Sequence, residues 1–306
     1  MRRLTVFTPT YNRSHTLHRT YMGMLSQTNK NFTWLIIDDG STDGTEEIVR
    51  SWMNADNGFE IKYLWKENEG VHTAYNKAIE LSDTELIVCI DSDDYMPETA
   101  VNDILCFWEK ERDEKIAGFI GLDYSIRTGQ PIGGFFPERT EPIHWTELEV
   151  KVRHYGDVKM VFRTELLKQV APQPIIAGEK NFNPVYMTFL IDRYYKFKLC
   201  NINMCIVDYQ PDGLSRNMYR QYYNSPNSFA AVRLVSMNAP GVTLRRKIKI
   251  HLHYIAEMLI AKRCSDIFKH DAPSKVILIM TFLPGWILSV YIKLMVKHNR
   301  KYRLKY

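Results

Sequence analysis

The sequence predicts an α/β chain whose first third is a mostly parallel sheet with helices on both faces. Three observations carry this. Strand and helix patterns alternate four times within the first 110 residues, the strand runs are apolar nearly throughout, and each run stops at polar turn residues.

The first run, residues 4–8, stops at Pro9, after which Leu17, Tyr21, Met24 and Leu25 recur at helical spacing. Residues 32–37 form the second strand and end in Asp38-Asp39-Gly40-Ser41; Asp43 and Glu46 then stand at capping-box spacing, with Asp43 as the expected N-cap. Residues 61–65 are the third strand, followed by a helix with Val71, Tyr75, Ala78 and Ile79 on one face. Residues 85–90 are the fourth, closed by Asp91-Ser92-Asp93-Asp94, before a helix that Pro97 opens and whose stripe is Val101, Ile104, Leu105 and Trp108. Ligands of such sheets bind beyond the carboxyl ends of the strands. The polar clusters 9–13, 38–43 and 91–94 all fall there. From about 116 to 162 the pattern is mixed, with a glycine-rich turn region at 129–134; helical spacing returns near 185–197 and dominates after about 217.

Composition is that of an ordinary globular protein: 306 residues, 45% hydrophobic, 25% charged, with no low-complexity run or internal repeat. The five cysteines form no CxxC pair, which predicts a reducing compartment and neither a disulfide framework nor a structural zinc site. Met1-Arg2-Arg3 runs directly into the first strand, so no secretory leader is expected. The net charge of +5 hides an asymmetry, because residues 241–306 hold 14 Lys and Arg against 3 Asp and Glu. An acidic body with a basic, partly apolar tail fits attachment to an anionic membrane surface. Residues 276–292 carry no charge but are interrupted by Pro284-Gly285, which predicts a broken, interfacial segment rather than a clean span. The tail lacks the aromatic-interleaved motif of an RNA binder, and no nucleic-acid partner is expected.

Neither GxGxxG nor GxxxxGK[ST] occurs, so a dinucleotide fold and a P-loop NTPase both lose their phosphate anchor. Asp91 and Asp93, one residue apart at a buried strand end, are able to hold a hard divalent cation that neutralises phosphates instead; the alternative is an Asx turn with a helix cap. Asp39 lies too far upstream to cap the next helix and is free to accept hydrogen bonds from a ligand.

Thr8-Pro9-Thr10-Tyr11-Asn12-Arg13, then Asp38-Asp39-Gly40-Ser41-Thr42-Asp43, then Asn68-Glu69-Gly70 with Ala74 and Asn76, then Asp91-Ser92-Asp93-Asp94 resemble, in order and spacing, the family 2 glycosyltransferases. The resemblance is strong over residues 4–110 and weaker to about 220. It implies a GT-A fold, Rossmann-like, with a C-terminal helical extension. It also implies a nucleotide-sugar donor (UDP first), Mg²⁺ or Mn²⁺, and inversion at the anomeric carbon. By that likeness Thr8, Pro9, Tyr11, Arg13, Asp39, Asn68, Asp91 and Ser92 line the nucleotide-sugar site. Asp39 faces the base with Asn68 nearby, Asp91 the ribose or metal, and Asp93 is the main metal ligand.

Gly156-Asp157-Val158-Lys159, Phe162 to Leu167, Gly178-Glu179-Lys180 and Asp212-Gly213-Leu214-Ser215 resemble a bacterial subgroup that makes surface polysaccharides. The expected domains are a catalytic domain, 1–220 (nucleotide-binding half 1–110, acceptor half 111–220), and a helical basic region, 221–306. The expected acceptor is a glycan or lipid-linked sugar. Cytoplasmic placement, peripheral to the inner face of the cell membrane, follows. Arg216 is a candidate to close over the diphosphate. The family's acid at the start of the helix after the acceptor loop is missing, since Asn181 to Tyr186 holds no carboxylate. An inverting transfer needs a base, and Glu179, Asp157 and Asp192 remain, Glu179 favoured slightly over Asp157. The missing acid also motivates a non-catalytic nucleotide-sugar-binding subunit as an alternative. A nucleotidyltransferase would need a glycine-rich loop after the first strand, which residues 8–13 do not supply.

Overall fold

The computed structural model describes residues 2–138, 141–209, 218–271 and 273–303, the last five as backbone only. In chain order the elements are β1 (Leu4–Thr10), α1 (Ser14–Leu25), β2 (Phe32–Asp38), α2 (Thr45–Met53), β3 (Glu60–Trp65), α3 (Val71–Leu81), β4 (Leu86–Cys89), α4 (Ala100–Glu111), β5 (Ile116–Ser125), α5 (Glu147–Val150), β6 (Val158–Arg163), α6 (Thr164–Val170), α7 (Val185–Ile191), β7 (Lys196–Val207), α8 (Met218–Asn224), α9 (Pro226–Ser236), α10 (Leu244–Ile260) and α11 (Lys275–Arg303).

They divide into two compact units. The first comprises residues 1–172 and 194–210, the second 173–193 and 211–306. The segment 173–193, which the sequence reading counts with the acceptor half, packs within the helical unit.

The first unit holds one seven-stranded sheet in the order β3-β2-β1-β4-β6-β5-β7. β1 pairs in parallel with β2 and β4, and β2 with β3, as the four strand–helix repeats predict. β6 runs antiparallel between β4 and β5. On one face Leu4, Val6, Trp34, Ile36, Leu86 and Val88 pack with Leu17 and Met24 of α1, Val49 of α2 and Ile104 and Trp108 of α4, and on the other Phe7, Leu35, Ile37 and Ile87 are buried too. Each such side chain contributes about 2 kcal/mol by leaving water.

Three local expectations need correction. The helical spacing near 185–197 holds only to Ile191; β7 follows, paired in parallel with β5. It is the last strand in the order, its outer edge bridged among the described residues only by Ile143 at Phe197 and by Tyr95 at Ile206, and Lys196, Asn201 and other partly exposed residues blur its alternation. The N-cap position of α2 falls to Gly44 at φ 86°, one residue after Asp43, whose carboxylate still accepts the Thr45 amide at 3.3 Å and hydroxyl, and also the Ser14 amide at 2.9 Å. Finally, α11 continues through Pro284 for 29 residues.

Gly285 explains how α11 survives its proline. A Cβ there would meet Ile255 Cγ2 at 2.7 Å, so the glycine lets α11 and α10 approach closely, and tertiary packing outweighs the lost backbone hydrogen bond. Leu278, Ile250, Tyr254, Ile255 and Met258 form the core of the helical unit.

Candidate functional site

The loops after β1, β2, β3 and β4 share the carboxyl end of these parallel strands. Asn12, at φ 52°, donates its amide to Ser41 Oγ and accepts the Thr42 amide on Oδ1, each at 2.8 Å. Asp38 is fully buried and takes the Ser41 amide and the Tyr63 hydroxyl. Asp39 accepts Lys66 Nζ at 2.7 Å and the Glu69 amide at 3.1 Å on one oxygen, and the Gly70 amide at 2.8 Å on the other. A Cβ on Gly40 would lie 2.9 Å from the Asn68 nitrogen, so the β2 and β3 loops touch at Asn68.

After β4, the Asp94 amide turns back onto the Asp91 carbonyl at 3.0 Å. Asp91's side chain is half-exposed, Asp93 is partly exposed, and Ser92 and Asp94 are buried. Burial first, then Asp91's charge, pushes the Asp93 carboxyl above its usual range, with Arg13 and Lys159 opposing. Burial pushes Asp94 up to about 7, against Lys159. Arg19 pairs with Asp208 at 2.7 Å and donates to the Asp93 carbonyl at 3.2 Å, fixing the turn from below.

Of the predicted site residues, Tyr11, Arg13, Asp39, Asn68, Asp91 and Asp93 lie in these loops. Thr8 and Pro9 are buried within β1, and the Thr8 hydroxyl accepts the Trp34 indole N–H at 3.0 Å, so Thr8 holds the sheet together beneath the loops. Arg216 and residues 212–215 lie outside the described residues.

The three candidate bases have different surroundings. Glu179 is buried in the helical unit and accepts four hydrogen bonds, from the backbone and side chain of both Asn227 and Ser228, at 2.6 to 2.9 Å. Those amides are free donors in the first turn of α9, so Glu179 serves that helix as its cap. Asp192 is also in the helical unit and fully buried. Asp157 is exposed, one residue before β6, and one of its oxygens accepts a hydrogen bond from the Tyr209 hydroxyl.

The sequence reading missed Lys159. Its ammonium lies 3.3 Å from Asp91, 3.5 Å from Asp94 and 3.6 Å from Asp123. Burial alone would lower its pKa, and these carboxylates together carry it well above the usual value. The available signal was period-two alternation, which puts Lys159 on the face of Val161, a fully buried core residue.

A divalent cation fits this donor set. Asp91 and Asp93 repel one another, and a cation relieves that repulsion. Among the described residues no three His, Cys, Asp or Glu side chains converge as a ready-made cage. Two carboxylates supplemented by ligand oxygens is the pattern of a Mg²⁺- or Mn²⁺-nucleotide site.

Residues 5–170, more than half the chain, match Glycosyl transferase family 2. A putative teichuronic acid biosynthesis glycosyltransferase of Bacillus subtilis, TuaG, is 32% identical over 142 residues, 43% of this chain and 51% of that protein. The chain thus spans about half the length of this curated relative. Among solved structures, S. aureus TarS 1–349 with UDP-GlcNAc superposes with a TM-score of 0.65 at 15% identity, covering 97% of this chain and 92% of that one. A mannosyltransferase of Pyrobaculum calidifontis with GDP-Man and Mn²⁺ gives 0.59 at 16% identity, covering 95% and 86%. At such identities the likeness shows the fold, the GT-A architecture that the motifs imply. With the family motifs on the strand-end loops of that sheet, the chain belongs to glycosyl transferase family 2.

Proposed function

We propose that the protein is an inverting, metal-dependent glycosyltransferase. It takes a sugar from a nucleoside diphosphate donor, first a UDP-sugar, and places it on a hydroxyl of a glycan or lipid-linked acceptor in cell-surface polysaccharide synthesis. The observation that supports this reading is the position of Asp39 and the Asp91–Asp93 pair just beyond the carboxyl ends of β2 and β4, the two strands that flank β1 in parallel. The names of TuaG and of the UDP-GlcNAc- and GDP-Man-bound neighbours support the donor and product classes.

In this reading Asp39 and Asn68 face the base, Tyr11 lines the pocket, and Arg13 adds positive charge beside Asp93. Asp91 and Asp93 would hold Mg²⁺ or Mn²⁺, which when bound supplies charge neutralisation of the diphosphate. Asp157 takes the proton of the acceptor hydroxyl as that oxygen attacks the anomeric carbon. The bond to the diphosphate breaks on the opposite face, and its electron pair leaves with the nucleotide. Asp157 is preferred to Glu179 because Glu179's lone pairs are committed to α9 and Asp157 is open to solvent.

The reading places the enzyme on the cytoplasmic side, held to anionic lipid by α11. That helix includes 24 residues, Lys275–His298, long and apolar enough to cross a membrane by length and composition. Its exposed apolar side chains, with basic residues at both ends, suit an interfacial position.

The deciding experiment is donor turnover by the purified protein against a nucleotide-sugar panel with Mn²⁺, Mg²⁺ or EDTA, alongside Asp93→Ala. Metal-dependent release of one nucleoside diphosphate, lost in the variant, with a product of inverted anomeric configuration by proton NMR, is the expected result. Nucleotide binding without turnover in the presence of membrane-lipid acceptors would leave a binding subunit instead. Turnover indifferent to EDTA and to the substitution would remove the metal from the reading.

A further inference from the structure

β6 delivers a cation to the place where the site's carboxylates gather. Lys159's side chain is only 12% exposed, and around it stand Asp91, half-exposed, and Asp94 and Asp123, whose side chains are 6% and 2% exposed. Asp123 Oδ2 faces Lys159, and its Oδ1 has no hydrogen-bond partner among the described residues. Without the lysine, the charges of Asp91, Asp94 and Asp123 would go uncompensated beside Asp93 and would strengthen the field that draws a divalent cation to Asp91 and Asp93, because charge count sets the affinity of such sites. With it, one oxygen of Asp91 is engaged and the cluster's field is partly cancelled.

We propose that Lys159 is a positioning residue, the resident counter-ion of the Asp91–Asp94 turn, which makes tight divalent-cation binding depend on the nucleotide's diphosphate. The proposal rests on the reading of Asp91 and Asp93 as metal ligands. Its consequence is that metal and nucleoside diphosphate enter and leave together. A bare ion finds Asp91 already held, whereas an ion carrying two phosphates brings its own negative oxygens and needs only Asp93 and the Asp91 oxygen that faces the weakly donating Cys89 thiol at 3.9 Å. Arg13 beside Asp93 adds to the same bias.

The test is Mn²⁺ binding to the full chain, read from the electron paramagnetic resonance signal of free Mn²⁺, first without nucleotide and then with UDP. Folding of each variant is checked by circular dichroism and thermal melting. Lys159→Met is expected to bind bare Mn²⁺ about tenfold more tightly than the wild type, and Lys159→Arg, which keeps the charge, to match the wild type. Asp123→Asn is expected to bind it more weakly, since the ammonium then turns fully to Asp91. These opposite signs are the signature of charge; a merely structural lysine would weaken binding in both Lys159→Met and Asp123→Asn. Unchanged or weaker bare-ion affinity in a folded Lys159→Met overturns the proposal. Should that variant not fold, unchanged or tighter binding in Asp123→Asn does the same. A wild type that binds Mn²⁺ with UDP while the variants show no such signs sinks only the role of Lys159. A wild type that binds none even with UDP sinks the metal reading beneath it.

Discussion

The carboxylate of Asp39 accepts the backbone N–H of Gly70 at 2.8 Å, tying the end of β2 to the start of α3. The same group takes the Lys66 ammonium and the Glu69 amide. Asp39 is therefore both a strut between two loops and, in the proposed site, the acceptor nearest the base. Asp39→Asn keeps the volume but turns an acceptor into a donor facing N–H groups. It should lower stability by about 1–3 kcal/mol and weaken UDP binding on the order of tenfold. A thermal melt and a calorimetric titration check the two effects, and a variant that loses stability alone would leave Asp39 a strut only.

Asp93 carries the opposite expectation. Its folded pKa is raised by burial and by Asp91, so its ionised form opposes folding above the ordinary carboxylate range. Asp93→Asn should therefore leave the melting temperature at pH 8 unchanged or higher. Donor turnover should fall by a factor of about 10² or more as the metal's charge stabilisation is lost. Loss of both stability and turnover would mean that Asp93 is structural.

Asp157 and Glu179 separate in kinetics. Asp157→Asn should lower kcat by about 10²-fold or more with the donor KM little changed, because a base acts on the acceptor's proton. Glu179→Ala should instead cost about 1–2 kcal/mol of stability through the lost cap of α9, with activity following the folded fraction. Glu179→Ala that stays folded and loses only kcat would restore Glu179 as the base.

The first four strands were legible because β1, β2 and β4 are short runs buried nearly throughout, β3 keeps Ile61, Tyr63 and Leu64 despite Glu60 and Lys62, and polar loop residues follow each. Residues such as Asp39 and Asp93 therefore sit at strand ends by spacing alone. β7 was not legible, since an edge strand bearing Lys196, Lys198 and Asn201 has no continuous apolar run. Lys159 escaped for a different reason: it meets Asp91 68 residues away only because β6 runs antiparallel beside β4, a pairing that no local pattern encodes. Glu179 looked free because its partners, Asn227 and Ser228, are 48 and 49 residues distant. Pro284 misled because propensity predicts a break, while close packing through Gly285 keeps the helix whole.

In the helical unit, Glu257 is fully buried and pairs with Arg233 at 3.1 Å. Burial pushes its carboxyl up to about 7, with Arg233 opposing. A folded pKa above the unfolded one means that the fold holds the extra proton. The contribution is present in full below the unfolded pKa of about 4.3 and is lost as pH rises through the folded value. His253, on the same helix and against Tyr222, works the other way: burial holds it down to about 4, so its contribution is lost as pH falls below about 6.5. Glu257→Gln in an otherwise identical chain isolates the carboxyl. Wild type should gain stability relative to the variant between pH 8 and 5, by chemical denaturation with a helix probe such as Trp286 fluorescence. A difference independent of pH would show that Glu257 stays ionised beside Arg233.

The outward face of α11 offers a test of where the enzyme works. Ile279, Leu283, Trp286, Ile287 and Val290 are exposed on it, whereas Leu278, Ile292 and Val296 are buried. Truncation would strip α10 of its partner, so point substitutions on the exposed face are the cleaner probe. Leu283→Glu with Trp286→Glu removes apolar area and adds negative charge without touching the buried side chains. Wild type should co-sediment with vesicles containing anionic lipid and release as salt rises, since each nearby Lys or Arg contributes about 1 kcal/mol that screening removes. The double variant should remain in the supernatant with an unchanged melting temperature. Equal binding of wild type to neutral and anionic vesicles, resistant to salt, would mean apolar insertion without the charge component. Absence of binding to either would leave this face for something other than lipid.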